Sequence, residues 1–353
     1  MSGSELGLLD RRLLFVTGKG GVGKTSIAAG LALLSSLRGR RTLVCEVDAK
    51  GDLADSFECP ALSFAPRELV PNLWGMAMDT EESLREYLRL QLKVPLLGRI
   101  GPVARTFDFV ADAAPGVKEI LTVGKLCHEV RERTYDLVVV DASATGHVVG
   151  QLAAPQAINE LVKVGRVRGQ TRWMVDILAD RRTTAAVIVS SPEEMPVAET
   201  LELAERLRVE TDVHLAAVIV NRVLPELFGR GEEEVFNRLR KPAGVRAMTA
   251  ALVTARGGPE PASDAAPDAP PVSASRRSRS TAGPVNAESV TALLDAALLA
   301  VTLRRTRAEH LTRLRAELDP GVPLVYVPYL FTRAHGVRAT RALADALSAE
   351  IDD

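Results

Sequence analysis

Residues 18–25 read Gly-Lys-Gly-Gly-Val-Gly-Lys-Thr, a glycine-rich run closed by a lysine and a hydroxyl. The spacing matches G-x-x-x-x-G-K-[ST]. Gly18, Gly20, Gly21 and Gly23 allow consecutive amides to curl around phosphate oxygens without side-chain clash. The apolar run Leu14-Phe15-Val16-Thr17 enters the loop and a helical pattern leaves it, so a helix N-terminus would add its positive end to the grip. Lys24 is spaced to reach the β- and γ-phosphates, and the Thr25 hydroxyl to ligate magnesium. Val22 and Ser26 complete the stretch assigned to cofactor binding. The expected cofactors are ATP and Mg2+.

Carboxylates at strand ends supply the second half of this chemistry. Val44 to Asp48 and Leu137 to Asp141 read as strands that close on aspartate. In open α/β sheets ligands sit beyond the carboxyl ends of the strands. A carboxylate placed there is costly unless it meets a cation or a donor. Asp141 is the magnesium-side acid, acting directly or through a water, and Asp48 the group that orients the attacking water. Helix capping or a surface turn is the plainer alternative for each. Glu46, two residues before Asp48 and on the same strand face, either supports the loop or touches the reaction.

The elements that must position these residues alternate along the chain. Strand-like runs occupy Leu13–Thr17, Thr42–Asp48, Leu73–Met78, Leu137–Asp141, Ala185–Ser190, Leu215–Asn221 and Leu324–Val327. Helical patterns cover Thr25–Arg38, Glu81–Leu92, Val197–Leu207, Glu232–Arg240, Ser289–Glu317 and Val337–Ile351. The strands are apolar on successive residues, which implies cover on both faces. The expected fold is α/β: a mostly parallel central sheet with helices on both faces, of the P-loop NTPase type with the deviant Walker A loop. It forms a single domain over 1–353, with a helical subdomain built from inserts at about 81–134 and 151–184. Residues 256–284 are dominated by Pro, Ala, Ser, Asp and Gly, with a basic patch at Arg276, Arg277 and Arg279, and read as a disordered loop. The net charge of −1, from 44 basic and 45 acidic residues, gives no support to nucleic-acid binding. Three dispersed cysteines, no apolar run of spanning length and no leader-like N-terminus point to a cytoplasmic protein without stable membrane insertion.

Lys19, a second lysine early in the loop, marks the deviant form of the motif. It resembles the class of septum-site and partition ATPases, the nitrogenase iron protein, and the arsenite-pump and tail-anchored-protein-targeting ATPases. That resemblance implies a lysine that reaches a partner subunit's nucleotide, so ATP would join two subunits. As a bare residue Lys19 is an exposed loop cation. Further residues narrow the resemblance to the arsenite-pump/tail-anchored-targeting family, as a bacterial single-half member. Asp141-Ala142-Ser143-Ala144-Thr145-Gly146-His147 is similar to its switch II, Asp-Thr-Ala-Pro-Thr-Gly-His. Asp48 to Phe57 resembles its switch I, and Pro115-Gly116 with Glu119 its Pro-Gly-x-x-Glu helix start. The resemblance also implies adenine recognition by Asn221, with Pro328 in the second adenine wall, and a structural role for His147 in the switch loop.

Departures accompany the resemblance. Ala49, Gly51 and Asp52 replace the family's switch I Pro, His and Asn, and Ala144 replaces a switch II Pro. There is no C-x-x-C pair and no cysteine cluster. The apolar residues of 151–184 read as core in preference to a cargo groove. The expected function is an ATP-hydrolysing dimeric switch acting on an unknown client protein or small anion. It pairs as a homodimer or as a heterodimer with a sister ATPase. The alternative is a slow or non-hydrolysing regulatory subunit of such a heterodimer.

Overall fold

The computed structural model describes residues 7–48, 51–92, 116–161, 166–226, 231–257, 286–331 and 334–351. They fall into two compact units, residues 1–224 with 307–353, and residues 225–306. The first unit holds an eight-stranded sheet. Its strands are β1 (Leu13–Gly18), β2 (Thr42–Glu46), β3 (Arg67–Val70), β4 (Leu73–Ala77), β5 (Leu137–Ala144), β6 (Thr184–Ser190), β7 (Leu215–Val223) and β8 (Leu324–Pro328). Their spatial order is β3-β4-β2-β5-β1-β6-β7-β8, parallel throughout except for the antiparallel β3–β4 edge. The α/β architecture expected from the strand–helix alternation is present.

Aliphatic side chains alternate between two cores, as the two-residue period of a strand demands. Leu14, Val16, Val44, Val139, Val187 and Ile219 enter one core, which α1 (Lys24–Leu37) shares. Leu13, Phe15, Leu43, Val138, Val140 and Ile188 enter the other. Covered on both faces, the strands read as unbroken apolar runs.

Helices are numbered in order among the described residues. After α1 come α2 (Asp52–Ser56), α3 (Thr80–Leu92), α4 (Val117–Glu132), α5 (Thr145–Leu161), α6 (Arg166–Ala179) and α7 (Glu194–Glu210). Then follow α8 (Glu232–Leu239), α9 (Pro242–Gly257), α10 (Ala287–Glu317) and α11 (Gly336–Ile351). Helices α4, α5 and α6 place Leu126, Val148, Leu152, Met174 and Leu178 in the second core, but Leu161 at the end of α5, expected to be core, is 82% exposed. Lys125 of α4 is buried between Glu86 of α3 at 2.8 Å and Glu129 at 2.7 Å, and lies over the Phe64 ring. Burial alone would lower its pKa, but the hydrogen bonds it donates to both carboxylates raise it, so α3 is pinned by a charged lysine.

In the second unit, α8, α9 and the start of α10 close a small core of Val245, Val290 and Leu294 with Phe236 and Met248. An ion pair of 2.7 Å joins Arg240 to Asp295. The segment expected to be disordered, 256–284, lies outside the described residues from 258 onward, and 256 and 257 end α9. Among the described residues no helix is long and apolar enough to cross a membrane.

Gly18 closes β1 at φ +144°, and a Cβ there would stand 2.2 Å from the Val189 carbonyl oxygen of β6. Neither backbone can move without breaking the ladder. Gly18→Ala should therefore cost at least about 2 kcal/mol and lower the melting temperature by roughly 4–8 °C. Thermal melts of the two proteins check this, and an unchanged melting point would refute it.

Candidate functional site

The loop of residues 18–23 joins β1 to α1 at the carboxyl end of the sheet, where β5 and β6 flank β1 on opposite sides. This is the crevice where the chain reverses its direction of travel across an open sheet. A Cβ at Gly20 or Gly21 would meet nothing within 4 Å, so the loop is open at these two positions. Gly23 caps α1 in the left-handed conformation, φ +96°. The Lys24 amino group donates to the Lys19 carbonyl at 3.2 Å. The Thr25 hydroxyl donates to Asp141 Oδ2 at 2.7 Å.

Asp141 is buried, and its Oδ1 has no hydrogen-bond partner among the described residues. Burial pushes its pKa up to about 6, against the Thr25 hydrogen bond and the Lys24 charge and with help from Glu46 and Asp48. A buried carboxylate with one orphaned oxygen beside a helix-terminal hydroxyl is a fitting donor set for a hard divalent cation such as magnesium. Asp141 and Thr25 would hold it.

The raised pKa has a consequence for stability. Because the folded value exceeds the usual carboxylate value, the neutral form favours folding below about pH 4, and this contribution is lost as pH rises through 6. Without metal, Asp141→Asn should melt above the parent at pH 7.5, with the gap closing toward pH 4. The gap should approach at most about 3 kcal/mol. Calorimetric scans in chelator across this range test the sign. A gap that widens on acidification would contradict it.

Strand β2 stops at Glu46, two residues short of the expected end, because the chain turns there toward α2. Buried Glu46 accepts from the Gly51 amide at 3.0 Å, and its carboxylate also meets the amides of Asp52 and Leu53. Burial raises its pKa against these donors. Of the two sequence readings of Glu46, the geometry is that of loop support. Asp48 lies beyond the strand end, exposed, with Oδ1 accepting from the Ser143 hydroxyl at 2.8 Å. Ala49 and Lys50 lie outside the described residues.

Lys19 is ion-paired with Glu199 of α7 in its own chain. Asn221 is buried near the end of β7. Its Nδ2 donates to the Val22 carbonyl at 2.9 Å, and its Oδ1 accepts from the Arg222 amide at 2.9 Å. Arg222 itself sits at φ +59°, an uncommon backbone state for a side-chain-bearing residue. Ser26, Asn221, Arg222, Pro328, Tyr329 and Thr340 line an open cavity of about 820 Å³ beside the loop. Arg307 and Glu193, 3.7 Å apart, also border it. Sequence reasoning passed over Tyr329, Arg307, Glu193 and Glu199, whose neighbours are distant along the chain. The aromatic pair Tyr329–Phe331 just after β8 was the one available signal. His147 is exposed in the first turn of α5. No cluster of three or more histidine, cysteine or acidic side chains able to hold a metal occurs among the described residues.

A parallel sheet whose first strand runs through a glycine loop into a helix, with a carboxylate from the neighbouring strand facing the loop hydroxyl, defines the P-loop NTPase class. Comparison with known proteins places the chain more narrowly. The family model described as anion-transporting ATPase matches residues 11–175 and 161–241, and the chain belongs to that family. ATPase BagA of Mycobacterium tuberculosis is 34% identical over 238 residues, covering 63% of this chain and 69% of that protein. ATPase ASNA1 homolog 1 of Paramecium tetraurelia is 26% identical over 253 residues, 60% and 74% of the two chains. ATPase get3 of Neurospora crassa is 29% identical over 171 residues, 46% and 50% of the two chains.

Proposed function

We propose that this chain binds ATP with magnesium at residues 18–26, hydrolyses it, and works as a dimeric switch on a client. The observation that carries this reading is the orphaned Oδ1 of buried Asp141, set beside the Thr25 hydroxyl under an open glycine loop. The loop amides would hold the phosphate oxygens. Lys24 would exchange the Lys19 carbonyl for the β- and γ-phosphates, which makes it the principal fixed cation of the reaction. Thr25 and Asp141 would hold magnesium, which would supply charge neutralisation to the triphosphate. Asp48 orients a water in line with the γ-phosphate, and the Glu46 clamp sets where that carboxylate stands. Asn221 and Pro328 face the cavity that would take adenine.

Lys19 completes the dimer reading: it would leave Glu199 and cross to the partner's nucleotide. The partner is a second copy or a sister ATPase, and the client a protein or a small anion. The cis ion pair also favours a second reading, a subunit that binds nucleotide and turns over slowly until a sister subunit draws Lys19 away. Calorimetry with ATP and magnesium tests the binding claim. Phosphate release measured alone and with candidate sister subunits separates the two readings. Absence of ATP affinity would overturn both.

A further inference from the structure

We propose that Ser143 is a positioning residue for hydrolysis, its hydroxyl holding the Asp48 carboxylate in place. The inference rests on the reading that Asp48 orients the attacking water. Ser143 is buried on β5, two residues beyond Asp141 and on the same strand face. Its carbonyl accepts from the Thr17 hydroxyl at 3.0 Å, so its backbone is anchored to the end of β1 just before the glycine loop. Its hydroxyl donates to Asp48 Oδ1 at 2.8 Å and accepts from Gln151 Nε2 of α5 at 3.4 Å.

The geometry gives each atom a role. A serine hydroxyl carries one proton, and the Gln151 amide on its lone pair leaves that proton directed at Asp48. Asp48 is an exposed residue past the end of its strand. A charge-assisted bond from a buried, anchored hydroxyl fixes one of its carboxylate oxygens. On the other side of Asp48, Glu46 holds the amides of Gly51, Asp52 and Leu53. The segment carrying Asp48 is thus tethered at its carboxylate to β5 and at its far end to β2. Ser143 joins the segment that carries Asp48 to the strand that carries Asp141.

Steady-state ATP hydrolysis by the full chain with magnesium tests this. Ser143→Ala should lower kcat about tenfold and leave KM for ATP within about twofold, because the lost contact orients a group and does not grip the nucleotide. Ser143→Thr, which keeps a hydroxyl, should recover most of the rate. In an Asp48→Ala background the serine change should cost nothing further, the mark of a coupled pair. A parent-like Ser143→Ala beside a slow Asp48→Ala overturns the proposal and leaves the ATPase reading standing. An equal loss from Ser143→Ala in both backgrounds makes the serine merely structural and also overturns it. If Asp48→Ala turns over at the parent rate, the role of Asp48 falls and this proposal with it.

Discussion

Replacing Asp48 by asparagine is expected to slow ATP turnover by roughly 10²–10³-fold while ATP still binds with nearly parental affinity. Asparagine keeps the shape of the side chain and an oxygen that can accept from Ser143, so the loop geometry persists. What disappears is the negative charge that, on the proposed reading, orients the water. Single-turnover phosphate release measures the loss, and calorimetry with ATP and magnesium measures what remains. Because the nucleotide would stay intact, this variant should also accumulate the ATP-bound assembly. Its copurification from cells is the most direct route to the client. Hydrolysis at the parental rate would remove Asp48 from the mechanism.

Lys24→Ala should be more severe, lowering ATP affinity by roughly 10²–10³-fold and abolishing measurable turnover. The ammonium group now rests on the Lys19 carbonyl inside the loop, and its charge reaches Asp141. Removing it takes from the loop the cation best placed for the triphosphate and leaves the Asp141 charge less compensated. Calorimetry is again the measurement, with the melting curve as a check that the variant folds. Retained affinity would mean that the loop amides alone carry the nucleotide.

The parts of the molecule legible in the sequence are those governed by short-range rules. The glycine loop, the aliphatic central strands and the long amphipathic helices follow from local conformational demand and two-sided burial. Strand β3 escaped notice because it is an edge: Arg67 and Glu68 face solvent, and only one neighbour pairs with it. Its turn was readable in principle, since Asn72 adopts the left-handed conformation at φ +65°, where asparagine is tolerated. Helices α2 and α9 were missed as well, the first because five residues carry too little periodicity to detect.

The site divides in the same way. Gly18 to Thr25, Asp141 and Asp48 stand out as candidates in the sequence because phosphate chemistry would demand those residue types at strand ends. Their supporting contacts could not. Ser143 and Asp48 are 95 residues apart, and Lys19 and Glu199 are 180 apart. No local pattern encodes a pairing that only sheet order brings about. The early end of β2 has a local origin instead, because the Glu46 carboxylate accepts from the amide of Gly51, which follows it closely in the chain.

Asn221 spans two parts of the pocket, touching the loop through Val22 and the cavity wall through its place on β7. Its amide is locked between a carbonyl on one side and the Arg222 N–H on the other. A ligand arriving in that cavity therefore meets a side chain whose orientation was settled when the chain folded. The entropy of ordering it falls on folding and is absent from the binding equilibrium, which is what preorganisation means in free-energy terms.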